Sequence, residues 1–173
     1  MDAYIELIKD SQVPTYAHDG DAGMDIRAAE DIVIKPREVK IIKTGIKIAV
    51  PKGVEIDVRP RSGLSAKTRL RVSNAPGTID SGFKDEIGVI IENTSLPFDI
   101  NEKGEIVRNI NTYSISEEGN KDGTYIIKKG ERIAQIIFLQ YVEANLIEVD
   151  DISKIGNNRG GGFGSSGTNW KRS

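Results

Sequence analysis

Apolar residues in this chain recur at every second position, in short runs closed by turn residues. No stretch shows the spacing of an amphipathic helix of ordinary length. Val54, Ile56 and Val58 alternate with Glu55, Asp57 and Arg59, as a strand with one buried face requires. The same alternation runs through residues 39–44 and 45–50. Residues 4–8, 24–28, 32–34, 70–74 and 87–92 read as further short strands, 132–140 as a strong apolar one and 145–149 as a weaker one. Residues 15–23 read as a loop and 62–67 as one short helical turn. Many short strands with regularly spaced turns predict an all-β fold: a sandwich, jelly roll or barrel. Aromatics make up only 6% of the 173 residues, so the core is expected to be aliphatic, led by Ile and Val.

Several function classes drop out on composition. The chain is of single-domain length. With 24 basic and 26 acidic residues, its net charge of -2 argues against a general nucleic-acid or membrane surface. Cysteine is absent, which removes disulfides and thiol chemistry. No apolar run approaches a membrane span and the N-terminus lacks a signal-like apolar region, so a cytoplasmic protein is expected. His18, in a polar loop, is the only histidine, which excludes multi-His zinc sites and argues against a Ser-His-Asp triad. Any enzyme chemistry must come from carboxylates, arginines, backbone amides and a hard cation.

Two segments depart from the strand pattern. Residues 97–124 are polar, rich in Asn, Glu and Gly, and read as an insertion with enough apolar residues for a small hairpin. Residues 156–173 are too glycine-rich to order themselves and read as a flexible arm after a core of residues 1–155. The arm carries Arg159, Phe163, Ser165 and Ser166, which suit either a closing lid or a plain terminus. It is not a phosphate-binding P-loop, because no Gly-Lys-Ser/Thr follows the glycines.

The stretch NAPGTIDSGFKDEI, residues 74–87, reads as strand, turn and strand. It sets Asp80 three residues before Phe83. A carboxylate on a rigid hairpin can orient and deprotonate a water, and a ring beside it can pack on a cyclic substrate. Taken alone, the stretch reads first as an ordinary hairpin with Asp in the turn and Phe in the core. Arg61-Ser62-Gly63 offers a guanidinium fork, a hydroxyl and close-approaching amides to an anion, or else a surface arginine and a capping serine. Gln135 interrupts an apolar strand, so it is either satisfied in the core or faces a ligand. Asp25 does the same in its own strand and can hold a hydrated Mg²⁺ or pair with an arginine such as Arg27 or Arg159. Together these groups fit a polyphosphate carrying a ring.

These stretches resemble the motifs of the trimeric, all-β dUTPases. AGMDIRA (22–28), RPRSGLSAK (59–67), NAPGTIDSGFKDEI (74–87), GERIAQIIF (130–138) and RGGGFGSSG (159–167) match that family's five motifs in order. The resemblance implies a jelly-roll-like subunit with one short helix and a flexible C-terminal arm, in a homotrimer with shared active sites. It implies hydrolysis of dUTP to dUMP and pyrophosphate by Mg²⁺-assisted water attack on the α-phosphorus. By position, Asp80 would activate the water and Phe83 would pack on the deoxyribose and reject a 2′-hydroxyl. Asn74 and the backbone at Gly77, Thr78 and Ile79 would read uracil. Arg61, Ser62, Gly63 and Gln135 would hold phosphates. Asp25 would contact the metal through water or support Arg159. Phe163, with Gly164 beside it, would cover the uracil, and Arg159, Ser165 and Ser166 would close over the phosphates.

The chain departs from the family pattern at Phe83-Lys84-Asp85-Glu86, where Tyr-Arg-Gly-Glu is usual. The 97–124 insertion resembles the extra segment of some dUTPases from bacteriophages of Gram-positive bacteria, which implies a regulatory protein partner and a phage or prophage origin; a tolerated surface excursion is the plainer alternative. Two other readings stand beside dUTP hydrolysis. A dCTP deaminase of the same superfamily would need a Glu shortly after the hairpin, whereas here Glu92 stands only at the end of the next strand. A non-catalytic regulatory protein would have no use for Asp80 and the phosphate-facing residues.

Overall fold

The computed structural model describes residues 1–8, 10–158 and 160. The chain divides into two compact units, Met1–Val142 and Glu143–Ser173. In the first unit the strands, in chain order, begin with β1 (Tyr4–Leu7), β2 (Thr15–Tyr16), β3 (Met24–Arg27), β4 (Ile32–Ile34), β5 (Val39–Lys43), β6 (Ile46–Ala49) and β7 (Val54–Arg59). The one α-helix among the described residues, α1 (Ser62–Lys67), follows, then β8 (Leu70–Val72), β9 (Gly77–Ile79) and β10 (Gly88–Asn93). The last five are β11 (Phe98–Ile100), β12 (Ile106–Arg108), β13 (Thr112–Ser114), β14 (Thr124–Ile127) and β15 (Arg132–Gln140). The expected all-β architecture with one short helix is what forms.

The strands assemble into a five-stranded sheet in the order β2-β3-β15-β7-β9 and two three-stranded sheets, β5-β10-β8 and β13-β14-β4. Two pairs complete the set, β1-β6 and β11-β12. The period-two pattern of β7 does what it predicts: Val54, Ile56 and Val58 are buried. Asp57 is buried as well, and its charge is met by Arg59 Nη2 at 2.9 Å. The core is aliphatic, with isoleucines at 26, 34, 42, 46, 56, 87, 91, 127, 133 and 136 almost fully enclosed. Each such side chain contributes about 1.5–3 kcal/mol of transfer free energy. Leu64 is the residue that α1 sends into this core. Tyr125 is buried with it; its hydroxyl donates to Lys121 O at 2.6 Å and accepts from Arg69 N at 3.2 Å. Burial pushes this phenol above its ordinary pKa.

Three expectations need correction. Residues 74–87 do not form a hairpin. β9 pairs with β7, matching Ile79 to Ile56, whereas β10 pairs with β5 and β8 in another sheet. The Asp80–Ile87 connection therefore crosses between sheets. The second correction is at 145–149, which forms no strand: Leu146 and Ile147 are 91% and 77% exposed, and no ladder partner meets them. An apolar run without a partner strand cannot satisfy its amides as a strand. Third, the 15–23 loop begins as a short strand, β2, on the edge of the five-stranded sheet. Within the second unit, Ile152–Lys154 forms a 3₁₀ turn capped by the Asp151 side chain, which accepts from Ser153 N. No helix among the described residues is long and apolar enough to cross a membrane.

The 97–124 excursion does contain the small hairpin expected of it. β11 and β12 pair antiparallel, with Ile100 opposite Ile106 and Phe98 opposite Arg108. The excursion ends on β14, which runs parallel to β13 and antiparallel to β4.

Candidate active site

β9 is an edge strand, and the chain leaves it at Asp80. Asn74, Gly77, Thr78, Ile79, Asp80 and Phe83 line one cavity of about 190 Å³, floored by Val58, Ile87 and Gly88. Phe83 N donates to Asp80 O at 3.0 Å, closing the turn that sets the ring beside the carboxylate. Phe83 is 42% exposed, which rules out a core role for its ring. The Asp80 side chain is exposed and engages none of the described residues. Gly77 is buried, and a Cβ there would fall 2.8 Å from Asn74 Nδ2. Glycine thus lets the Asn74 amide lie flat against β9. Asp85 is exposed, so its charge is solvated.

A second cavity, of about 480 Å³, lies between α1, the start of β15 and residues 115–116 of the excursion. Arg27, Arg61, Lys67 and Arg132 line it, with Gly63 at the start of α1. Arg61 Nε donates to Asp25 Oδ1 at 2.7 Å, and Arg132 Nη1 donates to Asp25 Oδ2 at 3.1 Å. Asp25 is paired, but not with Arg27, whose guanidinium donates to Gly130 O at 2.7 Å. Arg61 is the N-cap position of α1 and Ser62 its first residue, so the serine is not the cap. Gln135 stands opposite Asp25 of β3 and Arg59 of β7, in the middle of the five-stranded sheet. Its Nε2 donates to Pro60 O at 3.0 Å, which ties it to the strand leading into Arg61. Gly23 makes room for it, since a Cβ there would meet Gln135 Oε1 at 2.5 Å.

Of the candidate residues, Asn74, Gly77, Thr78, Ile79, Asp80 and Phe83 share one cavity and Arg61 and Gly63 the other; Asp25, Ser62 and Gln135 line neither, and no residue lines both. Arg159, Phe163, Gly164, Ser165 and Ser166 lie outside the described residues. Arg132 and Lys67 joined the cationic cavity without being singled out as binding residues. Arg132 stands three positions before Gln135 and Lys67 six after Arg61, a spacing that reveals nothing until the strands are paired. Among the described residues no three acidic or histidine side chains cluster to hold a metal. Glu131 is the carboxylate that lines the cationic cavity, and Asp25 stands behind Arg61 and Arg132 as their shared acceptor.

The all-β chain thus pairs a carboxylate-and-ring cleft with a separate cationic cavity, residue types suited to a ring-bearing polyphosphate. A family model described as dUTPase matches residues 9–121 and 114–167. The deoxyuridine 5'-triphosphate nucleotidohydrolase of Clostridium tetani is 39% identical over 165 residues, covering 94% of each chain. The solved structure of the Staphylococcus bacteriophage 80alpha dUTPase with dUpNHpp is 32% identical, covers 96% of this chain and 98% of its own, and superposes with a TM-score of 0.81. The dUTPase of phage phi11 of S. aureus is 28% identical, covering 88% of this chain and 99% of its own with a TM-score of 0.70. Its structures are described with a structural Mg(II) ion and a species-specific insert. The chain belongs to the dUTPase family.

Proposed function

We propose that this protein hydrolyses dUTP to dUMP and pyrophosphate, limiting uracil incorporation into DNA and supplying dUMP for dTMP synthesis. The observation that carries the reading is the cleft in which Asp80, Phe83 and the Asn74 amide converge on one ring-sized space. The Asn74 amide and the β9 backbone read the polar edge of uracil. Phe83 packs on the deoxyribose. Asp80 takes a proton from the water that attacks the α-phosphorus, and the bond to the bridging oxygen breaks to release pyrophosphate. Arg61, the Ser62 hydroxyl, the Gly63 amide and Gln135 hold the phosphates, and Asp25 contacts the metal through water. When bound with the substrate, Mg²⁺ neutralises charge on the phosphates.

Two cavities in one chain call for more than one chain to complete a site. We place the protein in a homotrimer whose neighbours bring the ring cleft of one subunit to the cationic cavity of another, with the 156–173 arm closing over them. The exposed apolar residues Tyr4, Val13, Tyr16, Val39 and Ile41 suit subunit contacts. The site of action is the cytoplasm of a bacterial or phage-infected cell. A regulatory protein partner is a second, compatible reading. It rests on the hairpin of the excursion, where Phe98, Ile100, Ile106 and Val107 stay exposed.

Purified protein with Mg²⁺ is expected to release pyrophosphate from dUTP and no ammonia from dCTP. Ammonia release would move the protein to the deaminases, and inertness toward both would leave a binding role. Gly77→Ala, which pushes a methyl group into the Asn74 amide, is expected to lower kcat/KM for dUTP by roughly 10- to 100-fold at a nearly unchanged melting temperature. Full activity in that variant would remove Asn74 from uracil recognition.

A further inference from the structure

The connection that carries Asp80 and Phe83 is held differently at its two ends. At its start Asp80 follows directly on the β9 ladder, where Ile79 pairs with Ile56. At its end the connection meets the turn between β5 and β6, and three hydrogen bonds clamp it there. Thr44 Oγ1 donates to Ile87 O at 2.5 Å, Gly45 N donates to Glu86 Oε1 at 2.8 Å, and Ile87 N donates to Ile46 O at 2.9 Å. Thr44 is 4% exposed and Ile87 1%, so the bonds at Ile87 are sealed from water, while the Glu86 bond is part-buried. The turn has little freedom to drift. Gly45 sits at φ 69°, and a Cβ on it would fall 1.7 Å from Ser11 Oγ. Just beyond the clamp, a Cβ on Gly88 would meet Ile41 Cγ2 at 2.6 Å, so the chain is pressed directly onto β5.

We infer that Thr44 and Glu86 are positioning residues that set the placement of Phe83 over the sugar, acting through the clamp on Ile87. The inference rests on the proposed hydrolysis of dUTP. Neither side chain lines the ring cleft, whereas Ile87 and Gly88 do. The geometry also separates two effects. Phe83 is three residues from Glu86, while Asp80 adjoins the β9 ladder. Loosening the clamp therefore moves the ring more than the carboxylate. It should weaken substrate binding and sugar discrimination more than turnover.

The test compares kcat and KM for dUTP and UTP in wild type, Thr44→Val, Glu86→Ala and the conservative variants Thr44→Ser and Glu86→Gln, with melting temperatures for all. The two disruptive variants are expected to lose about tenfold in the dUTP-to-UTP ratio of kcat/KM, mostly through KM for dUTP. Thr44→Ser keeps the hydroxyl and Glu86→Gln keeps an acceptor oxygen, so both should restore the wild-type ratio. If Thr44→Val fails to fold, Glu86→Ala decides. A ratio within about twofold of wild type in the disruptive variants, whatever their melting temperatures, overturns the positioning role while leaving the hydrolase reading intact. A wild-type protein that releases no pyrophosphate overturns both.

Discussion

Asp80→Asn lowers kcat for dUTP by about 10²–10⁴ and leaves nucleotide binding in place. Asparagine keeps the size of the side chain and its reach into the cleft, but its amide cannot take a proton from water. The Asp80 carboxylate has no bond to other described residues, so the substitution disturbs no structural contact and the loss reports chemistry. Steady-state rates together with the affinity for a non-hydrolysable dUTP analogue check this. A rate near that of wild type sinks the assignment of Asp80 as base. A matching loss of affinity makes Asp80 a binding group instead.

Asn93→Ala is expected to cost about 3–5 kcal/mol of stability. Asn93 is fully buried at the end of β10. Its Nδ2 donates to Ile34 O at 2.9 Å and Gly123 O at 2.8 Å, and its Oδ1 accepts from Ser95 N at 3.0 Å. Alanine removes all three bonds and leaves buried backbone groups behind without partners. In a chain of this length the melting temperature should fall by roughly 10 °C or more, measured by calorimetry. A fall of less than about 2 °C would mean that water takes over the amide's bonds.

The strands were legible wherever one face is buried locally. Val54–Arg59 needs no tertiary knowledge, and Gln135 announced itself by breaking an apolar run. The membership of β9 was hidden because pairing is a long-range choice: Ile79 finds Ile56 across the sheet, and a turn-like sequence after it looks the same whether or not the next strand returns to pair. The Asn145–Val149 stretch misled for the converse reason, since apolar content alone supplies no neighbour. Thr44 and Asn93 carried no signal at all. A buried threonine hydroxyl and a buried asparagine amide matter through the carbonyls they meet, and those carbonyls arrive from distant parts of the chain. Of the candidate site, the residue types were legible, but their division between two cavities was not.

Asn93 has one more consequence. Through Ser95 N and Gly123 O it ties the chain just before the excursion to the chain at its end. Lengthening or shortening a loop between fixed ends changes its closure entropy only slowly. The exposed hairpin β11–β12 is thus a cassette: recombination or drift can replace it while Ile115 stays in the core and Lys121 O keeps the Tyr125 hydroxyl. The catalytic framework can stay constant while the surface the protein offers to others is rewritten.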